Sequence, residues 1–381
     1  MRRNEGIPVK ILMLNTKMSI GGAETHILAL SRALKARGHT VTVGSAGGVY
    51  ADELQKDGIG TVILPLDGRM KLLRAVPELR KLMKKENFDV IHAHGRLPAF
   101  AASLALKYNK CNIPLVTTAH LNFRTDPLLR KVTVWGERTL AVSPAVRDYL
   151  LTEYGISPDA VENTVNGVDT DLFRPGKPDE ALLSALGLAG NGENRAIMVS
   201  RLDKNADAGV HTVLDALPEI LKALPRFELI LCGGGDDEEA IREKAYAVNR
   251  AAGRKAVLPI GPRTDIPALL KLASVGLGVS RAAMEEMACG KPVILIGPQG
   301  YLGIFDETKE KAAAGTNFCC MNALPEPKTV AEEIVKLFSL PQSERDRRGA
   351  ENRRLIEREY SVGRMADDAE RLYRFVVKSE P

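Results

Sequence analysis

The stretch Asn15-Thr16-Lys17-Met18-Ser19-Ile20-Gly21-Gly22-Ala23-Glu24 joins a short apolar run to a helix-like one. Two glycines let a backbone come close to a ligand, and a helix start adds N–H groups and a positive dipole end. Gly21 and Gly22 are therefore candidates for holding a diphosphate, although a plain glycine turn would look the same. The Gly-x-Gly-x-x-Gly spacing of a dinucleotide site is absent. His120 closes the run Pro114-Leu-Val-Thr-Thr-Ala-His120, where an imidazole can bond a sugar hydroxyl or a phosphate. His92 and His94 close Val90-Ile-His-Ala-His94. Two histidines from one strand at i, i+2, with no cysteine or carboxylate cluster nearby, argue against a metal, and none is expected. Asp89 and His92 read as structural.

The second half offers cations and acids. Arg201 and Lys204 follow the apolar run Ala196-Ile-Met-Val, and can neutralise a leaving diphosphate or simply sit in a solvated loop. Gly233-Gly234-Gly235 ends the next apolar run, which suits close approach to a flat base or a tight turn. The stretch from Val279 to Ile294 reads as strand, Ser280 N-cap, short helix, Gly290 C-cap, buried strand. Glu285-Glu286 lie between apolar neighbours on that short helix, so one of them has to face inward or into a ligand site. A carboxylate there can accept two ribose hydroxyls, each charge-assisted bond contributing about 1.5–3 kcal/mol.

The elements that must position these residues alternate. Apolar runs at 9–14, 41–43, 62–64, 89–92, 115–118 and 140–142 are separated by helix-period segments. Further runs follow at 197–199, 229–232, 256–260, 276–279, 293–296 and 317–320. Strands spaced by helices imply α/β architecture with parallel sheets. A length of 381 residues favours two domains, with the break near Phe173-Arg174-Pro175-Gly176-Lys177-Pro178. The expected boundaries are 1–175, 190–355, and a last helical segment over 356–381.

Composition narrows the class. No run of about eighteen apolar residues occurs, so no spanning helix is expected. The apolar run near the start is too short for a signal peptide. The five cysteines lack metal-ligand spacing and fit a reducing, cytoplasmic setting. Through Pro175 there are 24 Lys+Arg against 17 Asp+Glu, so the basic excess belongs to the first half. Aromatics are only 5%, without an interleaved basic pattern, which disfavours nucleic-acid binding.

Several motifs, taken in chain order, resemble the family 4 glycosyltransferases of the GT-B fold. They are Gly21-Gly22-Ala23-Glu24, Asp89-Val-Ile-His-Ala-His94, Thr117-Thr-Ala-His120 and Ala141-Val-Ser143. Asn166-Gly-Val-Asp169 with Phe173, Ser200-Arg201-Leu202, and Glu285 ahead of Met287-Ala-Cys-Gly-Lys-Pro-Val-Ile294 complete the set. The resemblance implies two Rossmann-like parallel-sheet domains facing across a cleft, the last helix crossing back to the first. It implies retaining transfer from a UDP- or GDP-sugar, with no cofactor, no metal at the donor phosphates and no covalent enzyme intermediate. Glu285 takes the ribose position, Gly22 and Arg201 positions near the diphosphate, His120 that beside the transferred sugar, and Gly233–Gly235 the base region. Two residues depart from the pattern. Leu277 stands where the family has a second Glu, and Ala206 where it has a phosphate Lys, with Lys204 displaced by two. Ser280-Arg281 at a helix start offers a substitute anion site. The expected catalytic set is thus His120, Arg201 and Lys204. Gly21, Gly22, Gly233, Gly234, Ser280, Arg281 and Glu285 are expected to bind the donor.

The acceptor is read as a glycan, a lipid-linked molecule or a small molecule. Residues 69–85 form a basic amphipathic segment around Pro77, suited either to an anionic membrane or to ordinary surface packing. That segment would place the protein at the inner face of the cell membrane, in cell-envelope polysaccharide synthesis. A nucleotide-sugar 2-epimerase and an inactive GT-B scaffold are the rival readings; a nicotinamide dehydrogenase is disfavoured by the missing fingerprint.

Overall fold

A computed structural model describes residues 8–122 and 125–378. The chain forms two compact units, Met1–Gly167 with Val362–Pro381, and Val168–Ser361. In the first unit, strands β1 (Lys10–Leu14), β2 (Thr40–Ser45), β3 (Gly60–Ile63), β4 (Val90–His94), β5 (Leu115–Ala119), β6 (Arg138–Ala141) and β7 (Val161–Asn163) form one sheet. Their order is β3-β2-β1-β4-β5-β6-β7, all pairs parallel. Helices cover both faces of such a sheet, so its inner strands read as continuous buried runs rather than alternating ones. β4 and β5 are buried along their whole length, which takes His92 and His94 into the interior. One face packs under the helices Gly22–Ala36 and Val362–Lys378, with Ile27, Leu30, Leu34, Met365, Leu372 and Tyr373. The other packs under Leu72–Glu86 and Arg96–Asn109.

The second unit holds β8 (Arg195–Val199), β9 (Glu228–Cys232), β10 (Val257–Pro259), β11 (Val275–Gly278), β12 (Val293–Gly297) and β13 (Gly300–Ile304). Their order is β10-β9-β8-β11-β12-β13, parallel except that β13 runs antiparallel to β12. The result is an α/β chain with two Rossmann-like, chiefly parallel sheets.

Three local expectations differ from the structure. Residues 317–320 are not a strand: Asn317, Phe318 and Cys320 have φ of +54°, +60° and +51°. Their apolar run arises because Phe318 is fully buried, not because the backbone pairs in a sheet. The edge strand is Gly300–Ile304 instead, whose glycines hid it. The division between units falls at Gly167/Val168, ahead of the Pro-Gly stretch at 173–178. Val168 and Phe173 pack into the second unit's core, and Arg353 donates to the carbonyl oxygens of Phe173 and Thr170, so this stretch is tied down rather than a free linker.

The basic segment 69–85 lies in the helix Leu72–Glu86 and the short turn before it. Leu72, Ala75, Val76, Leu79 and Met83 face the core. Pro77 removes the N–H that would reach the Leu73 carbonyl, on the exposed side of the helix, where solvent has access to the freed carbonyl. Met70 and Leu73 remain 80% and 77% exposed among Arg69, Lys71 and Arg74. Among the described residues no helix is long and apolar enough to cross a membrane.

Candidate functional site

Strand order reverses between β1 and β4 in the first sheet, and between β8 and β11 in the second. At such a point the connections leave to opposite faces, and a crevice opens beyond the strands' carboxyl ends. In the first unit Gly21 and Gly22 follow β1 and His120 follows β5; in the second Arg201 follows β8, Gly233 and Gly234 follow β9, and the helix holding Ser280, Arg281 and Glu285 follows β11.

In the first unit the loop after β1 reaches Gly21, where the Gly22–Ala36 helix begins. The Gly21 carbonyl accepts from Thr25 N–H and from Thr25 Oγ1, both at 3.0 Å, which closes the first turn. A Cβ at Gly21 would collide with the Glu24 carboxylate, whereas Gly22 faces open space. At Gly22 no neighbour would exclude a side chain.

Four imidazoles gather at the same sheet end. His94 Nδ1 lies 3.0 Å from His120 Nε2. His92, beneath them, is bonded on both sides, Nδ1 to Tyr373 Oη at 2.6 Å and Nε2 to Thr118 Oγ1 at 2.7 Å. The fourth, His26, comes from one turn inside the Gly22–Ala36 helix, its Nδ1 2.9 Å from Asn166 Oδ1. Burial holds the His92 pKa down to about 3, and pushes that of His94 well below 6.5 with help from the neighbouring rings. Both rings are neutral at pH 7. The sequence reading weighed His92, His94 and His120 and missed His26. A lone histidine on a helix's apolar face carries no spacing signal; only the fold brings it in. Asp89 and His92 do structural work, Asp89 Oδ2 accepting from Lys10 N–H at 2.6 Å.

In the second unit β8 and β11 are neighbours, and their carboxyl ends lead to Arg201 and Ser280. The Arg201 side chain is 71% exposed, with Asp203 Oδ2 3.8 Å away. Lys204 is exposed, and its backbone N–H donates to Asp236 Oδ1 at 2.8 Å. This loop is laced to the glycine turn: Leu202 N–H donates to Gly234 O at 3.1 Å and Asp237 N–H to Leu202 O at 2.8 Å. A Cβ on Gly233 would strike the Ser200 carbonyl, and one on Gly235 the Leu202 backbone. Those two glycines are demanded by loop-on-loop packing. Gly234 would meet the Pro262 ring at 3.2 Å. The turn therefore fixes the position of the Arg201–Lys204 loop, a role the glycine count alone did not reveal. Ala206, in the position of the family Lys, is buried.

The Ser280–Ala288 helix departs most from expectation. Val279, not Ser280, is its N-cap, and Ser280 has φ +51°. Asn317 Nδ2 donates to Ser280 Oγ at 3.1 Å, and Ser280 N–H donates to Phe318 O at 2.9 Å, so the hydroxyl is not capping the helix. Arg281 is no exposed anion site either: it is buried and its Nε donates to Glu285 Oε1 at 2.8 Å. Both glutamates turn inward, Glu285 at 8% exposure and Glu286 at 0%. Burial raises the Glu285 pKa, and Arg281 offsets part of that rise. Glu286 lies against Gly276 and Gly278, where a Cβ at Gly276 would overlap its carboxylate. Neither of its oxygens has a hydrogen-bond partner among the described residues, and burial raises its pKa well above 4.5.

Comparison with known proteins agrees with this organisation. The family model Glycosyltransferase Family 4 matches residues 20–172, and Glycosyl transferases group 1 matches residues 187–355. A phosphatidyl-myo-inositol mannosyltransferase of Mycobacterium tuberculosis is 28% identical over 232 residues, 58% of each chain. The match thus spans somewhat over half the length of that relative. A solved glycosyltransferase from Rickettsia africae superposes with a TM-score of 0.77 at 20% identity, covering 98% of this chain and 100% of that one. HepE of Anabaena, solved in complex with UDP-glucose, superposes with a TM-score of 0.74 at 20% identity, covering 96% and 99%. With a family model on each half in the order the motifs prescribe, the chain belongs to the family 4 glycosyltransferases.

Proposed function

We propose that the chain moves a sugar from a nucleotide-sugar donor to a glycan, lipid-linked or small-molecule acceptor, with retention at the anomeric carbon and no metal at the donor phosphates. The observation that carries this reading is the pairing of β8 and β11, which sets the Arg201–Lys204 loop beside the start of the helix bearing Glu285. Glu285 accepts the ribose hydroxyls, and Arg281 acts through it, holding the carboxylate ionised and oriented. Arg201 and Lys204 meet the diphosphate. As the anomeric C–O bond breaks, negative charge grows on the leaving phosphate; cations fixed there stabilise that charge more in the transition state than in the ground state. The acceptor oxygen bonds to the anomeric carbon on the face the phosphate leaves, and its proton passes to a phosphate oxygen. No protein nucleophile is required. Gly22 and His120 serve the diphosphate and the transferred sugar from the first unit. A UDP-glucose complex of a structural neighbour and a mannosyltransferase among the relatives support a nucleotide-sugar donor and a glycolipid acceptor. Exposed Met70 and Leu73 within a basic turn support contact with an anionic bilayer.

Melting of the chain with UDP-, GDP- and ADP-sugars tests the donor. A true donor at 100 times its Kd stabilises the fold by about 2.7 kcal/mol. Mass spectrometry and NMR then follow the product. Transfer or slow hydrolysis with retained configuration supports the reading; release of a free epimer establishes the epimerase, and binding without turnover the scaffold. Co-sedimentation with anionic vesicles, lost on Met70→Ser with Leu73→Ser, tests the membrane contact.

A further inference from the structure

Resting on the transferase reading above, we propose that Asn317 is a positioning residue for the donor: its side-chain amide holds the Ser280 hydroxyl so that the hydroxyl's own hydrogen is given to an oxygen of the nucleoside diphosphate.

Asn317 closes a short helix. Glu310–Gly315 ends in a Schellman turn, with Phe318 N–H donating to Ala313 O at 2.7 Å and Asn317 N–H to Ala314 O at 3.2 Å. Such a turn needs one left-handed residue, usually glycine and sometimes asparagine, and Asn317 has φ +54°. Glycine would satisfy the backbone alone. The asparagine adds an amide, whose Nδ2 donates to Ser280 Oγ at 3.1 Å. A second bond ties the two backbones, from Ser280 N–H to Phe318 O at 2.9 Å. Phe318 anchors the turn: it is fully buried, its ring centre 5.2 Å from that of Tyr360 and 5.8 Å from that of Phe305.

Backbone strain gathers at the same place. Six described non-glycine residues have left-handed φ. Asn87, Lys110 and Asn317 end helices, where that conformation is ordinary. The other three, Ser280, Phe318 and Cys320, all belong to these two bonded segments. Strain of this kind persists where the surroundings over-determine it, most often at ligand sites. Ser280 stands where β11 turns into the helix bearing Glu285, beside the strand that leads to the Arg201–Lys204 loop.

The hydroxyl's hydrogen can then be followed. Ser280 Oγ accepts from Asn317, so its one hydrogen goes to another partner. Within the protein that partner is the Cys319 sulfur, a weak acceptor. The Cys319 thiol in turn faces the Asn317 carbonyl oxygen at 3.7 Å. Sulfur holds the hydrogen loosely and yields it to a phosphate oxygen, because bonds to ionised acceptors are roughly twice as strong as neutral ones.

Calorimetry on the full chain gives affinities for UDP and GDP, and NMR titration those for uridine and guanosine. Ser280→Ala should weaken diphosphate binding roughly 10–100-fold, the loss of one charge-assisted bond. Asn317→Gly keeps the left-handed backbone and should cost roughly tenfold. The two changes together should cost no more than Ser280→Ala alone, since Asn317 acts through that hydroxyl. Nucleoside affinity should hold in both variants, whereas a loosened helix start would disturb Glu285 and move it too. Asn317→Asp tolerates the same backbone but accepts the hydroxyl's hydrogen, and should lose at least as much diphosphate affinity as Ser280→Ala. Unchanged diphosphate affinity in Asn317→Gly or Asn317→Asp overturns the proposal. So does an Asn317→Gly loss that persists in the Ser280→Ala background, or one shared equally by the nucleosides. If Asn317→Gly does not fold, Asn317→Asp carries the test. A native chain that binds neither UDP nor GDP removes the transferase reading and this role with it; one that binds either without regard to Asn317 loses only the positioning role.

Discussion

The two units bury opposite kinds of ionisable group at equivalent places in their sheets. The first draws imidazoles inward along β4, whose His92 and His94 are 0% and 2% exposed. The second draws carboxylates inward behind β11, through Glu285 and Glu286 with Arg281 beside them, and leaves the loop cations Arg201 and Lys204 outside. An imidazole goes into a protein interior by giving up its proton, a carboxylic acid by keeping one, so burial favours the neutral form in both units. The partners differ. In the first unit Tyr373 and Thr118 satisfy both nitrogens of His92, while His94 Nε2 has no partner; in the second Arg281 pairs with Glu285, and Glu286 has no hydrogen-bond partner among the described residues. Buried bases in one unit and buried acids in the other give them opposite responses to pH.

The strongest test concerns the exposed cations. If they carry the leaving-group charge, Arg201→Ala should lower kcat by roughly 10²–10³ with little change in melting, by analogy with loss of a transition-state donor. Unchanged turnover would remove the functional half of the contrast. Next, Glu285→Gln should weaken donor binding by roughly 10–100-fold, the loss of one charge-assisted bond. Arg281→Ala should do the same and also steepen the loss of donor affinity as pH falls, because Glu285 without its guanidinium takes up a proton more readily. Retained affinity in Arg281→Ala would show that the ion pair is structural only.

The acid limb follows in size. His92 has a folded pKa near 3, below the unfolded 6.5. Its contribution to stability is complete above pH 6.5 and is lost as pH falls towards 3, about 2 kcal/mol by pH 5. Denaturant unfolding at pH 7 and 5 should show this loss in the native chain and a smaller one in His92→Asn. The smallest effect belongs to Glu286, whose folded pKa is raised. Its contribution is complete below 4.5 and declines as pH rises through the folded value. Glu286→Gln should remove that decline and raise the melting temperature at pH 8 relative to pH 5 by a few degrees. An equal shift at both values would assign the effect to packing.

The order of strands and the residues at their ends were legible because both sheets are parallel and covered on each face, which makes a strand an unbroken apolar word. Edge elements were not. β13 reads Gly-Tyr-Leu-Gly-Ile and hides behind its glycines, while residues 317–320 look like a strand and form left-handed turns around buried Phe318. Within the sites, Arg201 and His120 stood out by following strand ends. The Arg281–Glu285 pair was legible in principle, since i and i+4 share a helix face, but a serine before it suggested a cap that the backbone does not make. His26 had no local signature at all. Its place depends on Asn166, 140 residues away in sequence.

The return of the Val362–Lys378 helix to the first unit has a consequence for synthesis on the ribosome. Residues 168–361 are contiguous and can complete their core as they emerge, whereas the sheet begun by the first residues waits for Met365, Leu372 and Tyr373. Until those side chains arrive, the part of that apolar face not covered by the Gly22–Ala36 helix stays bare and His92 lacks its phenol. The portion made first is therefore the portion finished last, and a chain that stops short of 362 should be captured by chaperones through its opening segment rather than through its middle.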